Sequence, residues 1–474
     1  MTRYFIFVLA ITAGIALDAL SARADSGPRP GVVGSGKAIS KANELILSRL
    51  RNVYRCANRI WPGWAADNFH VLVGDKHDDS AVLVSGKGAP GEKSAVPPYV
   101  SAVPFDMAKI IVTRERPVYT PIQWNGLGRI LAVFHAAISE VEIDKAVEVI
   151  VHEGFHFSGQ QQFARTSNFP RGVHYPENPR IRYLRHKISA GLGQASDGNS
   201  FGGIAFWAKE LDAIRAGSLM REIDRIEGSA QYVQIYGSEI ARQGCDSLDD
   251  NVVLAGFARL GAFTRGSLSN PGQANVDFEA YAIGALAGLH LQRSGRAGWR
   301  QAVEKGATPL ELLVENVTPE KQPEDRGLLA QIETAVGVRN EKLKPRLEGF
   351  RNLMRSVSQL IISVPGAQLG APYISQGFVT YEAEHGAVQL VGLGAHAARK
   401  RGENGGDIGL KGKDIQITNE TPCASTNQAI FPIAKSAVTD WGKDTVNIVD
   451  DQVLAASLRV VKREQGGMQW LCVH

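Results

Sequence analysis

Residues Val151–His156 read Val-His-Glu-Gly-Phe-His and contain the pattern HExxH in His152, Glu153 and His156. Residues four apart on an α-helix project from the same face, so both imidazoles can bind one Zn²⁺ while Glu153 stands beside the open side of the metal. A carboxylate there is suited to act as general base toward a metal-activated water. The pattern therefore predicts a metallohydrolase. The alternative is a pair of helical histidines packed in a core.

The residues around the motif favour a buried helix that presents it. Asp144 is the predicted N-cap, because a side-chain oxygen at that position accepts hydrogen bonds from the first free N–H groups of a helix. The run Lys145–Val151 is mostly aliphatic, which suits a helix packed in a core. Gly128–Ile138 is the predicted strand before this helix, and Thr166–Pro179, rich in Pro and Gly, predicts a loop that borders a cleft.

A catalytic zinc site usually has three protein ligands and one water, so HExxH needs a third donor. Glu227 is the candidate, within Arg221–Tyr236 (REIDRIEGSAQYVQIY), whose pattern is helical. HExxH followed on a later helix by EGxAxY resembles the gluzincin branch of zinc metallopeptidases. The matching residues here are His152, Glu153, His156, Glu227, Gly228, Ala230 and Tyr232. The resemblance, which covers Asp144–Tyr236, implies a zincin-like fold with Glu227 as third zinc ligand.

A second zincin pattern is close enough to weigh. Gly159 stands where the metzincin pattern HExxHxxGxxH has its turn glycine, but the third histidine of that pattern falls on Gln162. A neutral amide is a poor zinc ligand beside an imidazole or a carboxylate, so the metzincin assignment is disfavoured. Weaker candidates for the third ligand are Asp197, His174 and His186.

The expected mechanism follows from the metal. Zn²⁺ lowers the pKa of its bound water to about 7, and Glu153 accepts the proton as hydroxide attacks a peptide carbonyl. Tyr232 and Tyr281 are the candidates to stabilise the oxyanion, although a helical tyrosine is more often a core residue. The expected substrate is a peptide or a protein. Neither its sequence nor the choice between internal and terminal cleavage can be read from the chain.

The first 24 residues have the features of a secretory signal peptide. Arg3 precedes an apolar run over Tyr4–Leu17, and Ala22–Ala24 has the small-x-small form of a cleavage site. The mature protein is therefore expected to be exported, to the periplasm or the extracellular space. An uncleaved N-terminal anchor is the alternative. No later stretch approaches about 18 uninterrupted apolar residues, so no integral membrane segment is expected after signal cleavage.

Charge and motifs argue against nucleic acid and nucleotide partners. The 474 residues carry a net charge of +4, from 52 basic and 48 acidic side chains. This charge is too weak and too dispersed to predict nucleic-acid binding. Gly31–Ala38 nearly matches a phosphate-binding loop, but Ala38 replaces the required Ser or Thr and no strand precedes it.

The four cysteines, Cys56, Cys245, Cys423 and Cys472, are even in number and lie in a chain expected to be exported, so two disulfides are predicted. Three pairings are possible. We favour Cys56 with Cys245 and Cys423 with Cys472, because each bridge then stays inside one predicted domain.

The predicted fold class is α+β, with two domains after the signal peptide at 1–24. Residues 25–350 form a zincin-like catalytic domain, a small sheet with helices followed by a helical half. Residues 355–474 contain short β-like runs separated by Gly, Asn, Asp and Pro, which indicate a β-rich C-terminal domain. The alternative to an enzyme is a catalytically inactive binding protein on a zincin scaffold, acting through this β domain. The oligomeric state cannot be read from the sequence.

Overall fold

A computed structural model describes residues 39–473 except for a set of internal segments. The segments left out are 66–67, 87–97, 108–109, 111, 115–116, 125, 165–172, 196–200, 215–219, 269–275, 357, 366–374, 384–385, 394–397, 401–406, 411–412, 419–420, 425–427 and 443. The predicted signal peptide and the Gly31–Ala38 segment therefore lie outside the described residues.

The N-terminal part is a small mixed sheet covered by two helices. Its strands are β1 (His70–Asp75), β2 (Ser80–Ser85), β3 (Tyr99–Ala102), β4 (Val118–Trp124) and β5 (Gly128–His135), in the order β3-β2-β1-β5-β4. Among these five described strands, only the β1–β5 pair is parallel. Alternate residues such as Val71, Val73 and Val133 face α1 (Lys41–Ile60) and α2 (Glu140–Gly154), and join their apolar faces in the main core. The residues between them, such as Leu72 and Phe134, point to the opposite face and form a second buried cluster, as the two-residue repeat of a strand requires.

A helical half follows and shares that core. Its helices are α3 (Pro179–Gln194), α4 (Phe201–Asp212), α5 (Arg221–Gln243), α6 (Asp250–Leu268), α7 (Val276–Arg293), α8 (Trp299–Glu304), α9 (Pro309–Val314) and α10 (Arg326–Arg355). The helices α5 and α7 cross at Gly228 and Gly284 with their backbones in contact. A Cβ atom added at Gly228 would lie 2.4 Å from the Cα of Gly284, so the closeness of the crossing depends on both glycines.

The C-terminal part is a mixed sheet with its own core. Its strands are β7 (Gln359–Pro365), β8 (Ser375–Ala383), β9 (Gly386–Leu393), β10 (Ala398–Lys400), β11 (Asp407–Leu410), β12 (Asp414–Thr418), β13 (Gln428–Ala434), β14 (Val438–Trp441), β15 (Thr445–Val449), β16 (Val453–Gln465) and β17 (Met468–Val473). The order is β10-β11-β16-β17-β7-β13-β12-β9-β8, and β15 pairs with β14 and β16. The α+β prediction is confirmed.

The last strand of that sheet comes from far upstream. The strand β6 (Val173–Tyr175) pairs in parallel with β8, with His174 opposite Thr380. The prediction of a loop over Thr166–Pro179 is therefore wrong at its centre, because a partner two hundred residues away converts part of it into a strand. The long helix α10 also joins the two parts, since Arg346 forms a bidentate ion pair with Asp414.

Both predicted disulfides are present. Cys56 on α1 is bonded to Cys245, just after α5, and Cys423 is bonded to Cys472 on β17. The helix α10 ends at Arg355 and β7 begins at Gln359, while the division into domains at 350 and 355 stays a prediction. In the part of the chain that the structure describes, no helix is both long and apolar enough to cross a membrane.

Candidate metal centre

The helix α2 starts earlier than predicted. Its N-cap is Ser139, whose hydroxyl accepts from the N–H of Glu142 while the Glu142 carboxylate accepts from the N–H of Ser139. These reciprocal bonds form a capping box, which satisfies two N–H groups at once. Asp144 is therefore not the cap. It lies inside the helix and pairs with Arg49 of α1.

Regular α-helix ends between the two histidines of the motif. His152 and Glu153 lie in the last turn of α2, and Phe155–Gly159 forms a π-helical turn that contains His156. Gly154, the last residue of α2, lets the helix pack directly on Phe69, because a Cβ on Gly154 would meet that ring at 2.3 Å. Single π turns inside helices occur frequently at functional sites because they re-aim the side chains that they carry.

The third predicted ligand comes from α5. Glu227 Oε2 lies 3.5 Å from His152 Nε2 and 3.3 Å from His156 Nε2, and the two Nε2 atoms are 3.1 Å apart. All three side chains are largely buried, at 4%, 12% and 2% exposure for His152, His156 and Glu227. We call these three residues the triad. The structure thus brings together the three residues predicted to bind the metal, and they form a group that could hold a metal ion.

The spacing within the triad fits zinc. A tetrahedral zinc with ligands at about 2.0–2.2 Å separates its ligand atoms by roughly 3.3–3.6 Å. The two separations from Glu227 Oε2, 3.5 and 3.3 Å, fall within this range, and the 3.1 Å between the two Nε2 atoms is slightly shorter. Two imidazole nitrogens and a carboxylate oxygen are also the donor types of a catalytic zinc site. Bringing them this close inside a protein is costly unless a cation or a proton lies between them.

The other predicted site residues fall into different surroundings. Glu153 is buried beside His152 on α2. Tyr281 of α7 is buried next to the triad, with its ring centroid 5.6 Å from that of His152. Tyr232 packs instead against Trp61 and Trp299.

The hydroxyl of Tyr232 is engaged outside the triad. It accepts a hydrogen bond from Arg300 Nη2 at 2.8 Å. Burial raises the pKa of this hydroxyl to about 12. Of the two tyrosines, Tyr281 is therefore the one that the structure places against a triad residue.

One residue of the site was missed by the sequence reasoning. Gln160 begins the short 3₁₀ turn Gln160–Gln162, and its Oε1 lies 2.7 Å from His156 Nδ1. Its Nε2 donates to the carbonyl oxygen of Ile226 and to Ser229 Oγ, at 2.7 and 2.8 Å. The available signal was its position four residues after His156, within reach on the same side of the helix.

The weaker candidates and the metzincin alternative find no place in the triad. Gln162 is exposed and donates to Glu304 at 3.4 Å. His186 lies on α3, where burial and the nearby cations Lys187 and Arg182 lower its pKa to about 4. His174 lies on β6, and Asp197 lies outside the described residues.

Ion pairs anchor the two helices that carry Glu227 and Tyr281. Arg185 of α3 binds Asp224 of α5 through both Nη atoms, at 2.9 and 2.6 Å. Arg185 Nε also contacts Glu279 of α7 at 3.2 Å. Asp224 precedes Glu227 by three residues and Glu279 precedes Tyr281 by two, so the arginine fixes both helices close to the triad.

The same pairing extends outward from Glu279. Arg182 Nη1 lies 2.8 Å from Glu279 Oε2, and Arg182 Nε lies 3.1 Å from Glu177 Oε1. Arg339 of α10 also pairs with Glu177, with 2.8 Å between Nε and Oε2. We call this group the ion-pair chain. Its members are Arg182, Arg185, Arg339, Glu177, Asp224 and Glu279.

Comparison with models of known protein families, with curated proteins and with solved structures finds no match to this chain. The candidate metal centre is therefore inferred from the residues of the triad and their surroundings.

Proposed function

We propose that this chain is an exported zinc-dependent metallopeptidase. The observation that carries the proposal is the convergence of His152 Nε2, His156 Nε2 and Glu227 Oε2 to within 3.1–3.5 Å of one another. The buried Glu153 next to His152 adds the carboxylate that a hydrolytic zinc site needs and that a purely structural site does not. The resemblance to gluzincins in HExxH and EGxAxY supports the same reading.

In this proposal the triad, Glu153 and Tyr281 have separate roles in hydrolysis. His152, His156 and Glu227 would hold the zinc ion, which would lower the pKa of a bound water to about 7 and polarise the substrate carbonyl. Glu153 accepts the proton of the attacking water and returns it to the leaving amine. Tyr281, packed against His152, donates its phenolic O–H to the carbonyl oxygen as negative charge develops there.

Export and substrate class are part of this proposal. The two disulfides are typical of proteins that fold in an oxidising compartment, in agreement with the signal-peptide features of residues 1–24. The periplasm or the extracellular space is the proposed location. Peptides or proteins are the proposed substrates, because the mechanism requires an amide carbonyl and because the small net charge of +4 gives no reason to expect nucleic acid.

Metal content tests the site. The mature chain is purified, dialysed and analysed for metals beside His152→Ala and Glu227→Ala. We expect about one zinc per wild-type chain, lost in both variants, because each removes one of three ligands. A wild-type chain that takes up no zinc after reconstitution would overturn the proposal.

Glu153→Gln tests the chemistry separately from the metal. The variant keeps the shape of the side chain but cannot accept a proton, so we expect full zinc content with peptide cleavage reduced about 10²–10⁴-fold. Cleavage is followed on an unstructured protein substrate and a peptide library. Zinc binding combined with cleavage that is equal in wild type and Glu153→Gln would instead favour the non-catalytic protein that acts through its β domain.

A further inference from the structure

Gln160 connects two of the proposed zinc ligands through one amide group. Its Oε1 faces His156 Nδ1 at 2.7 Å, and its Nε2 donates to the carbonyl oxygen of Ile226 at 2.7 Å and to Ser229 Oγ at 2.8 Å. Ile226 is the residue before Glu227, so the amide spans from the ring of one ligand to the backbone beside another. Both ends of the glutamine side chain are therefore engaged within the site.

The partners of this amide determine which way round it lies. The carbonyl oxygen of Ile226 can only accept a hydrogen bond, so the NH₂ group of Gln160 must face it. Ser229 Oγ uses its own hydrogen toward Ile226 O, at 3.2 Å, and thus accepts from the same NH₂ group. The amide oxygen must then face His156.

The orientation of the amide in turn sets the state of the imidazole. An amide oxygen has no proton to donate, so the hydrogen bond to His156 requires a proton on Nδ1. A neutral imidazole protonated at Nδ1 presents a lone pair at Nε2. That nitrogen is the atom of His156 that lies 3.3 Å from Glu227 Oε2.

We propose that Gln160 is a positioning residue that holds His156 in its Nδ1–H form and fixes that ring relative to the helix carrying Glu227. The inference builds on the proposed function, because it assigns to Gln160 a task toward the zinc site. Residues that hydrogen-bond to a metal-binding side chain orient it, and removing such a residue typically weakens metal binding 10–100-fold. The partner here is a neutral amide anchored to a second helix, so the same bond also sets the distance between α5 and the π-helical turn.

The chain supplies a matched control in the next residue. Gln161 lies in the same turn, is exposed, and donates to the carbonyl oxygen of Phe157 at 2.6 Å. Gln160→Ala and Gln161→Ala thus delete the same group from adjacent positions. We expect the zinc dissociation constant, measured by competition with a chromophoric chelator, to rise about 10–100-fold in Gln160→Ala and to stay within about twofold in Gln161→Ala. Equal zinc affinity in wild type and a folded Gln160→Ala would overturn the inference.

The tautomer of His156 can be determined on the zinc-free chain, with no activity measurement. Long-range ¹H–¹⁵N NMR spectra of the zinc-free, ¹⁵N-histidine-labelled chain distinguish Nδ1–H from Nε2–H, and His156→Gln identifies the signal. We expect a proton on Nδ1 of His156 in wild type. We expect the same form in Gln160→Glu, which keeps an acceptor for the ring. An Nε2–H ring in the wild type contradicts the inference, even if Gln160→Ala does not fold.

The two measurements separate the two proposals. If the wild-type chain binds no zinc while His156 is in the Nδ1–H form, the metallopeptidase proposal fails and the effect of Gln160 on the ring stands. If the wild-type chain binds zinc while the ring is in the Nε2–H form, only the inference about Gln160 fails.

Discussion

Two groups of buried charged side chains lie close together in the helical half, and they differ in how their charges are compensated. The ion-pair chain contains three arginines and three carboxylates, and every contact in it joins opposite charges. The triad contains one carboxylate and two imidazoles whose Nε2 atoms face each other at 3.1 Å. Opposite charges that pair inside a protein can be explained by packing alone, whereas two imidazoles and a carboxylate that converge are donors that could hold a metal ion.

The largest effect is expected from unbalancing the ion-pair chain. Arg185 is fully buried and binds both Asp224 and Glu279. Arg185→Met leaves two carboxylates buried without their shared partner, so we expect the free energy of unfolding to fall by about 3–5 kcal/mol. Denaturant unfolding of the zinc-free chain measures the change.

A half-exposed arginine provides the control. Arg221 also pairs with two carboxylates, Asp212 and Glu311, but its side chain is 39% exposed. Arg221→Met should cost at most about 1 kcal/mol, because exposed ion pairs contribute little. If the two variants lost equal stability, burial would not be what makes the ion-pair chain important.

The triad should behave in the opposite way, because a zinc ion bound from solution should stabilise it. Zinc at about 100 times its dissociation constant should stabilise the wild-type chain by about 2.7 kcal/mol. Glu227→Gln should abolish that gain while changing the stability of the zinc-free chain far less than Arg185→Met does. Thermal unfolding with and without zinc measures both quantities.

A second carboxylate on the same helix tests whether the effect is local. Glu239 is equally buried on α5 and pairs with Arg242. Glu239→Gln should keep the full stabilisation by zinc. Loss of stabilisation in both variants would mean that the response to zinc does not arise at the triad.

The contrast also explains what the sequence could reveal. His152, Glu153 and His156 were predictable because their spacing on one helix is a local property, and Glu227 followed from a second local pattern. The residues of the ion-pair chain come from four helices and from the segment before α3 that contains Glu177, and no short sequence pattern predicts which arginine pairs with which carboxylate. The same holds for Gln160, whose position is visible in the sequence while its acceptors on α5 are not.

The features that the sequence left open or predicted wrongly have the same physical origin. Asp144 and Ser139 are both good capping residues, and the sequence Ser139-x-x-Glu142 of a capping box favours the second, which is the one used. Tyr232 and Tyr281 are both helical and buried, but only the packing of α5 and α7 decides which ring reaches His152. The strand β6 depends on β8, which lies in the other part of the chain.

The smallest effect concerns a histidine that the surroundings keep neutral. His186 lies on α3 beside Arg182 and Lys187, and burial together with these cations lowers its pKa to about 4, although Asp325 opposes the shift. Between pH 6.5 and about 4 the unfolded chain binds a proton at this residue that the folded chain does not. Stability therefore falls as the pH drops through this window, whereas above pH 6.5 His186 is neutral in both states and adds no penalty.

Replacing this histidine isolates its share. In His186→Gln, we expect the stability of the zinc-free chain to fall less steeply between pH 6.5 and about 4. The slope of the free energy of unfolding against pH should decrease by up to the equivalent of about one bound proton. His77→Gln, which removes a histidine whose side chain is 62% exposed, is the matched control for the loss of an imidazole. Identical slopes in wild type and His186→Gln would show that the cations of α3 do not exclude a further positive charge. The charged surroundings of α3 would then be more like those of the triad than the ion pairs of Arg182 and Arg185 suggest.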